Sequence, residues 1–143
     1  MVDRQLVLNK LESILRCIHR IETKRPDTLD QLAQDLDVQD IIIVNIERAV
    51  QLSVDICIHW ITAQDYPAPK TMGDAFAESA RIGIIPLELA NKLSKSVGFR
   101  NIAVHQYEKI DWSIVYVIIW NKIDDFRQFC GYISEALDTF KSS

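Results

Sequence analysis

The chain has 143 residues, 48% hydrophobic and 25% charged, with only four Gly and four Pro. That is the make-up of one globular domain over residues 1–143, with no room for a second. Sixteen Lys plus Arg against twenty Asp plus Glu leave a net charge of -4, which argues against a protein that coats DNA or RNA over its whole surface.

The N-terminal segment MVDRQLVLNKLESILR scatters Asp3, Arg4, Lys10 and Glu12 among its apolar residues, unlike the unbroken apolar core of a signal peptide. The densest apolar runs, 41–44 and 114–120, fall far short of the ~20 residues that cross a bilayer. The expectation is a cytoplasmic protein without a membrane partner. Cys17, Cys57 and Cys130 are an odd number with neither CxxC nor CxxH spacing, so buried free thiols are expected rather than a disulfide framework or a zinc site.

Within the first 25 residues Leu8, Leu11, Leu15, Ile18 and Ile21 recur at steps of three and four, which predicts one stripe of a helix. Asp27, Asp30, Asp35, Asp37 and Asp40 follow without an intervening Lys or Arg. Helix caps and a solvated face suit them, since negative charge is favoured at a helix start; a metal or partner site is the alternative. From about Leu36 to Ile61, the residues Ile42, Ile46, Ala49, Val50, Ser53, Ile56, Cys57 and Trp60 hold helical spacing. Ile41, Ile43, Val54 and Ile58 spread apolar surface around the rest of that helix, which predicts a central position or a subunit interface.

Two prolines make 66–70 a loop, Thr71 can cap a helix through Ala80, and Pro86 can open another that Gly98 would close. In the last stretch Trp112, Tyr116, Ile119, Ile123, Phe126, Cys130, Ile133, Leu137 and Phe140 alternate steps of four and three, a seam along one long helix. Gly131, beside the seam, is expected to permit close helix approach. The whole reads as an all-α, up-and-down bundle of four long helices plus one or two short ones.

Charge changes sign locally. Between Asn91 and Ile110, Lys92, Lys95, Arg100 and Lys109 face only Glu108, with His105 in addition. These residues bracket Phe99-Arg100-Asn101-Ile102-Ala103-Val104-His105-Gln106-Tyr107, in which an Arg, a spacer of four, a His, one residue and a Tyr follow one another. Taken singly, such residues cap and pack. On one straight helix five residues turn the chain by ~500°, which leaves Arg100 and His105 ~140° apart. They reach one small ligand only if the chain bends near His105 or if a second copy completes the site across a two-fold axis.

With Arg100, His105 and Tyr107 at the fixed positions of its Arg-spacer-His-x-Tyr signature, the chain resembles the HepT-type toxins of the HEPN superfamily. The Asp-rich entry to the long second helix, the Gly98-Phe99-Arg100-Asn101 turn and the long last helix extend that resemblance over nearly the whole chain.

The resemblance implies a HEPN-like fold and the toxin of a type VII toxin-antitoxin pair, a metal-independent endoribonuclease that cuts mRNA or tRNA. Its partner would be a minimal nucleotidyltransferase antitoxin, which spends ATP with Mg²⁺ to place AMP on the motif tyrosine, here Tyr107. Cleavage itself would need no cofactor.

The chemistry is consistent with the residue types. Transesterification through the 2′-hydroxyl needs a proton removed, a proton delivered to the 5′-oxygen, and extra phosphorane charge stabilised. His105 suits acid-base work and Arg100 a bidentate grip on phosphate. One His cannot readily serve both proton transfers, so a homodimer is expected. Asn101 would orient Arg100 or contact substrate, and Lys92, Lys95 and Lys109 are candidates for the RNA backbone. The competing reading is a non-catalytic nucleotide- or partner-binding module that regulates the nucleotidyltransferase.

Overall fold

The structure, a computed structural model, describes residues 1–142, with side chains through residue 139, so Phe140 of the expected seam lies outside the described side chains. Among the described residues seven α-helices follow one another: α1 (Arg4–Lys24), α2 (Leu29–Gln34), α3 (Leu36–Ala63), α4 (Met72–Arg81), α5 (Leu87–His105), α6 (Trp112–Val117) and α7 (Asp124–Ser142). Among the described residues there is no strand, which bears out the all-α bundle, and no helix is long and apolar enough to cross a membrane.

The helix starts follow capping chemistry. Asp3, Asp35 and Thr71 each accept a hydrogen bond from the backbone N–H three residues on, at 3.1 Å, satisfying amides that a helix start leaves unpaired. Thr28 and Gln31 form a reciprocal capping box that nucleates α2, a short helix hidden from the periodicity by its Asp-rich surroundings. Buried Gln39 then donates to the carbonyls of Leu32 and Ala33, at 2.9 and 3.1 Å, closing the end of α2 against α3.

In α1 the buried stripe is Val7, Leu11, Ile14, Cys17, Ile18 and Ile21, while Leu8 is half-buried and Leu15 exposed. Val7 and Ile14 replace the two leucines expected there. Leu8 and Leu15 lie ~80–100° around the helix from the centre of the set formed by Leu11, Ile18 and Ile21 together with Val7 and Ile14.

The central position expected for the second long helix holds: α3 packs on α1, α2, α4, α5 and α7, and all eight residues of its expected stripe are buried. Its polar interior is satisfied, with Ser53 donating to the Ala49 carbonyl at 2.7 Å and Asn45 to that of Ile41 at 2.8 Å. Phe76 of α4 meets Phe129 of α7 edge to face, with ring centroids 6.2 Å apart. All three cysteines are free and buried; burial pushes the Cys57 and Cys130 thiols up to about 12 and also raises Cys17, which makes them packing residues rather than reactive thiols.

Three expectations are corrected. Gly98 does not close a helix. The ladder of α5 runs through it to His105, with Gln106 N–H on the Ile102 carbonyl at 2.8 Å; a mid-helix Gly costs only about 1 kcal/mol against Ala, which the surrounding turns absorb. The helix-ending glycine is Gly83, with φ 85° just after α4. Gly131 permits no close approach, since it is exposed and an added Cβ there would meet nothing within 4 Å.

The last long helix is also interrupted. Ile119, Ile123, Phe126, Cys130, Ile133 and Leu137 are buried as the seam requires, but residues Ile118–Lys122 form one wider π-turn between α6 and α7. The Arg25 guanidinium donates to the Ile119 carbonyl at 2.8 Å and lies 3.8 Å from the Trp120 ring centre, and the Trp120 indole donates to the Pro26 carbonyl at 3.0 Å. A side chain that takes a carbonyl from the ladder is a recognised cause of such a turn.

Candidate functional site

The motif lies where α5 ends. Arg100 is half-buried within α5, His105 is its last residue and exposed, and Tyr107 opens a single 3₁₀ turn, Tyr107–Lys109. Because α5 is continuous to His105, the ~140° divergence between Arg100 and His105 applies within one chain. The bend comes after His105 and acts on Tyr107, turning it back toward α3.

Two contacts clamp the motif onto α3. The Tyr107 hydroxyl donates to Asp40 Oδ1 at 2.9 Å, and Arg100 Nη2 donates to Gln51 Oε1 at 3.5 Å. Asp40, Val44, Glu47 and Gln51 follow one another at steps of four, three and four, so they form one stripe of α3 that spans roughly 16 Å at 1.5 Å per residue. The site is therefore a seam between two helices. Asp40 belongs to the acidic run expected to be caps and solvated surface. Asp35 does cap α3 and Asp37 lies in its first turn, whereas Asp40 points into the site.

Arg100 keeps its charge available. Its other hydrogen bond runs from Nη1 to Asn101 Oδ1 at 3.3 Å, so both acceptors are neutral amides. Among the described residues no carboxylate forms an ion pair with it, and its buried Nε has no partner. An uncompensated guanidinium held by amide oxygens is prepared for a phosphate. Asn101 thus touches Arg100 through its side-chain oxygen.

Tyr107 is 42% exposed, and its ring stands edge to face with Trp112 at 6.4 Å. Burial, then the hydrogen bond and charge of Asp40, push its phenol up to about 12, with Glu47 adding to the effect.

The lysines divide. Lys109 ends the turn that holds Tyr107. Lys92, paired with Glu88 at 3.7 Å, and Lys95 line a separate cavity of about 310 Å³ with Phe99, Ile114 and Lys122, away from the motif residues. Composition gave no hint of a broader cationic feature, an open trough of about 790 Å³ between α1 and α3 lined by Arg16, His19, Arg20, Arg48 and Gln51. Among the described residues its lining includes no carboxylate, although Arg16 pairs with Glu12 at 3.3 Å outside it. Gln51 joins the trough to Arg100. In sequence these arginines are dispersed over two helices, and only the packing of α1 on α3 gathers them.

A helical bundle that presents Arg-x4-His-x-Tyr at the end of a helix defines the class of protein, a HEPN-type nuclease domain. The chain belongs to the Ribonuclease HepT-like family, whose sequence profile matches residues 14–133. It is similar to the mRNA nuclease HepT of Shewanella oneidensis, 35% identical over 128 residues that make up 90% of this chain and 96% of that protein. It is also similar to the tRNA nuclease HepT of Aphanizomenon flos-aquae, 24% identical over 140 residues, 98% of this chain and 95% of that one. Among solved structures, the tri-AMPylated Shewanella oneidensis HEPN toxin in complex with MNT antitoxin matches with a TM-score of 0.86 at 35% identity, covering 94% of this chain and 99% of that chain. A toxin-antitoxin complex with AMP-PNP also matches, with a TM-score of 0.86 at 34% identity over 92% of this chain and 98% of that one.

Proposed function

We propose that this chain is the toxin of a type VII HepT/MNT pair, a cytoplasmic endoribonuclease that cuts mRNA or tRNA and is silenced when its antitoxin attaches AMP to Tyr107. The observation that carries the reading is the uncompensated Arg100 guanidinium on the same helix as the exposed His105, in a chain whose relatives are HepT nucleases. Arg100 grips a non-bridging phosphate oxygen and stabilises the phosphorane. His105 moves a proton at the 2′-hydroxyl or at the leaving 5′-oxygen, and a second His105 across a homodimer serves the other step. Asn101 holds Arg100 in place, while Lys109 and, at greater distance, Lys92 and Lys95 contact the RNA backbone.

Cleavage requires no metal ion or cofactor; ATP and Mg²⁺ serve the nucleotidyltransferase partner when it modifies Tyr107. An AMP on Tyr107 is anionic and stands two residues from His105, where it blocks the phosphate site by bulk and by repulsion.

The experiment is RNA cleavage by the purified, unmodified chain in EDTA. Wild type cleaves total RNA, and His105→Ala and Arg100→Ala each lose at least a hundredfold while keeping the wild-type melting temperature. Intact RNA with wild-type protein, or full activity in His105→Ala, refutes the reading.

A further inference from the structure

The hydrogen bond between Tyr107 and Asp40 joins residues 67 positions apart, from two different helical segments, at 2.9 Å. It is the one polar contact of the Asp40 side chain among the described residues, with no Lys or Arg in an ion pair beside it. A bare carboxylate on the exposed side of a helix would ordinarily stay in water. Here it receives the hydroxyl of the residue that the proposed function makes the target of AMP, and the Trp112 ring fixes the phenol from another side.

We propose that Asp40 is the general base for modification of Tyr107, so that the acceptor chain, and not only the nucleotidyltransferase, supplies a catalytic group. The inference rests on Tyr107 being the modified residue. The Tyr107 oxygen attacks the α-phosphorus of ATP, the new O–P bond forms as the bond between the α-phosphorus and its bridging oxygen breaks, and pyrophosphate leaves with that electron pair. The phenolic proton passes to Asp40 Oδ1, which already accepts it in a hydrogen bond, and then to water.

Three features support the assignment. The acceptor oxygen is within direct transfer distance of the attacking atom, so no water needs to be recruited. Burial and the neighbouring carboxylates hold the phenol protonated far above neutral pH, so phenolate is scarce before attack and the proton must leave as the bond forms. The anchoring of α3 by Asp35, five residues before Asp40, fixes the carboxylate on a rigid element rather than a loop.

The test is the rate of AMP addition, followed by intact mass of the full-length chain with the purified antitoxin, ATP and Mg²⁺. The variants compared are wild type, Asp40→Asn and Tyr107→Phe. Asparagine keeps an oxygen acceptor of the same shape and removes the basicity. The assignment expects Asp40→Asn to slow addition by one hundredfold or more, within the usual range for loss of a general base, while the complex with the antitoxin forms as tightly as for wild type. A rate within twofold of wild type overturns it and leaves Asp40 as an anchor only. Loss of antitoxin binding also overturns it, since the carboxylate would then be a docking contact. Asp40→Glu, which restores a carboxylate, is expected to recover part of the rate, and its failure to exceed Asp40→Asn counts against the assignment even if the asparagine variant folds poorly. Wild type that gains no AMP, or mass that survives in Tyr107→Phe, overturns the choice of Tyr107 and the role of Asp40 with it, an outcome distinct from a slow Asp40→Asn.

Discussion

Tyr107 carries opposing demands. As the proposed acceptor of AMP it would have to lose a proton, yet burial and the Asp40 carboxylate favour its neutral form and push it up to about 12. In the unfolded chain a tyrosine ionises near ~10. Above that pH the unfolded state has given up a proton that the folded state retains, so this contribution to stability is complete below ~10 and declines as pH rises toward 12. Phenolate absorbance should show it directly: the wild-type minus Tyr107→Phe difference is expected to stay near zero at pH 10.5 and to grow only above about pH 11. In Asp40→Asn the midpoint is expected to fall but remain above the ordinary value, because burial is the largest cause of the shift. A Tyr107 signal that titrates at the ordinary tyrosine value in wild type contradicts the Asp40 contact. AMP on Tyr107 would remove the hydrogen bond and set a phosphodiester beside Asp40 and Glu47, where like charges would drive the attached nucleotide away from α3.

Between helices, much was legible in the sequence. Spacing located α1, α3, α4 and the final seam, because an amphipathic helix writes its period into the chain. The motif residues stood out because their types and spacing match an Arg-His-Tyr signature. What spacing cannot carry is register between helices. Asp40 and Gln51 meet Tyr107 and Arg100 only because α3 lies beside α5, so nothing local to Asp40 sets it apart from Asp35 or Asp37. The π-turn was equally silent, since its cause is Arg25 on another segment. The α1–α3 trough shows the same effect: Arg16, Arg20 and Arg48 become one cationic surface only on packing, and Gln51 joins it to Arg100. RNA binding should therefore depend on this surface. With His105→Ala as the silent background, reversing Arg20 and Arg48 to Glu is expected to weaken RNA affinity at least tenfold and to flatten its salt dependence, because each phosphate contact contributes to the salt slope. Unchanged affinity in a filter-binding or anisotropy titration would show that RNA avoids the trough. The same reversal at Lys92 and Lys95, around the separate cavity, is expected to do less.

For the molecule as a whole the decisive quantity is the number of histidines in one cleft. A continuous α5 keeps Arg100 and His105 on different faces, and one imidazole cannot take and give a proton in the same step, so a monomer would be incomplete for the proposed chemistry. The surface around the motif is partly apolar. Ile102, Val104 and Val44 are 40, 42 and 40% exposed, apolar side chains on the two helices that build the site, where a solvated surface would carry polar ones. Two residues apart on α5, Ile102 and Val104 point ~160° from each other and flank His105; a two-fold interface on either side would bring both His105 side chains toward a common cleft. Charge placed there separates fold from assembly. Ile102→Glu with Val104→Asp removes little buried surface from the monomer, so its melting temperature in dilute solution should stay within a few degrees of a monomeric reference, while light scattering reports half the mass of wild type. RNA cleavage should then fall at least a hundredfold although Arg100, His105 and Tyr107 are all intact. A monomer that cuts RNA at the wild-type rate would mean that one His105 suffices and that the second proton transfer belongs to water or to another residue of the same chain.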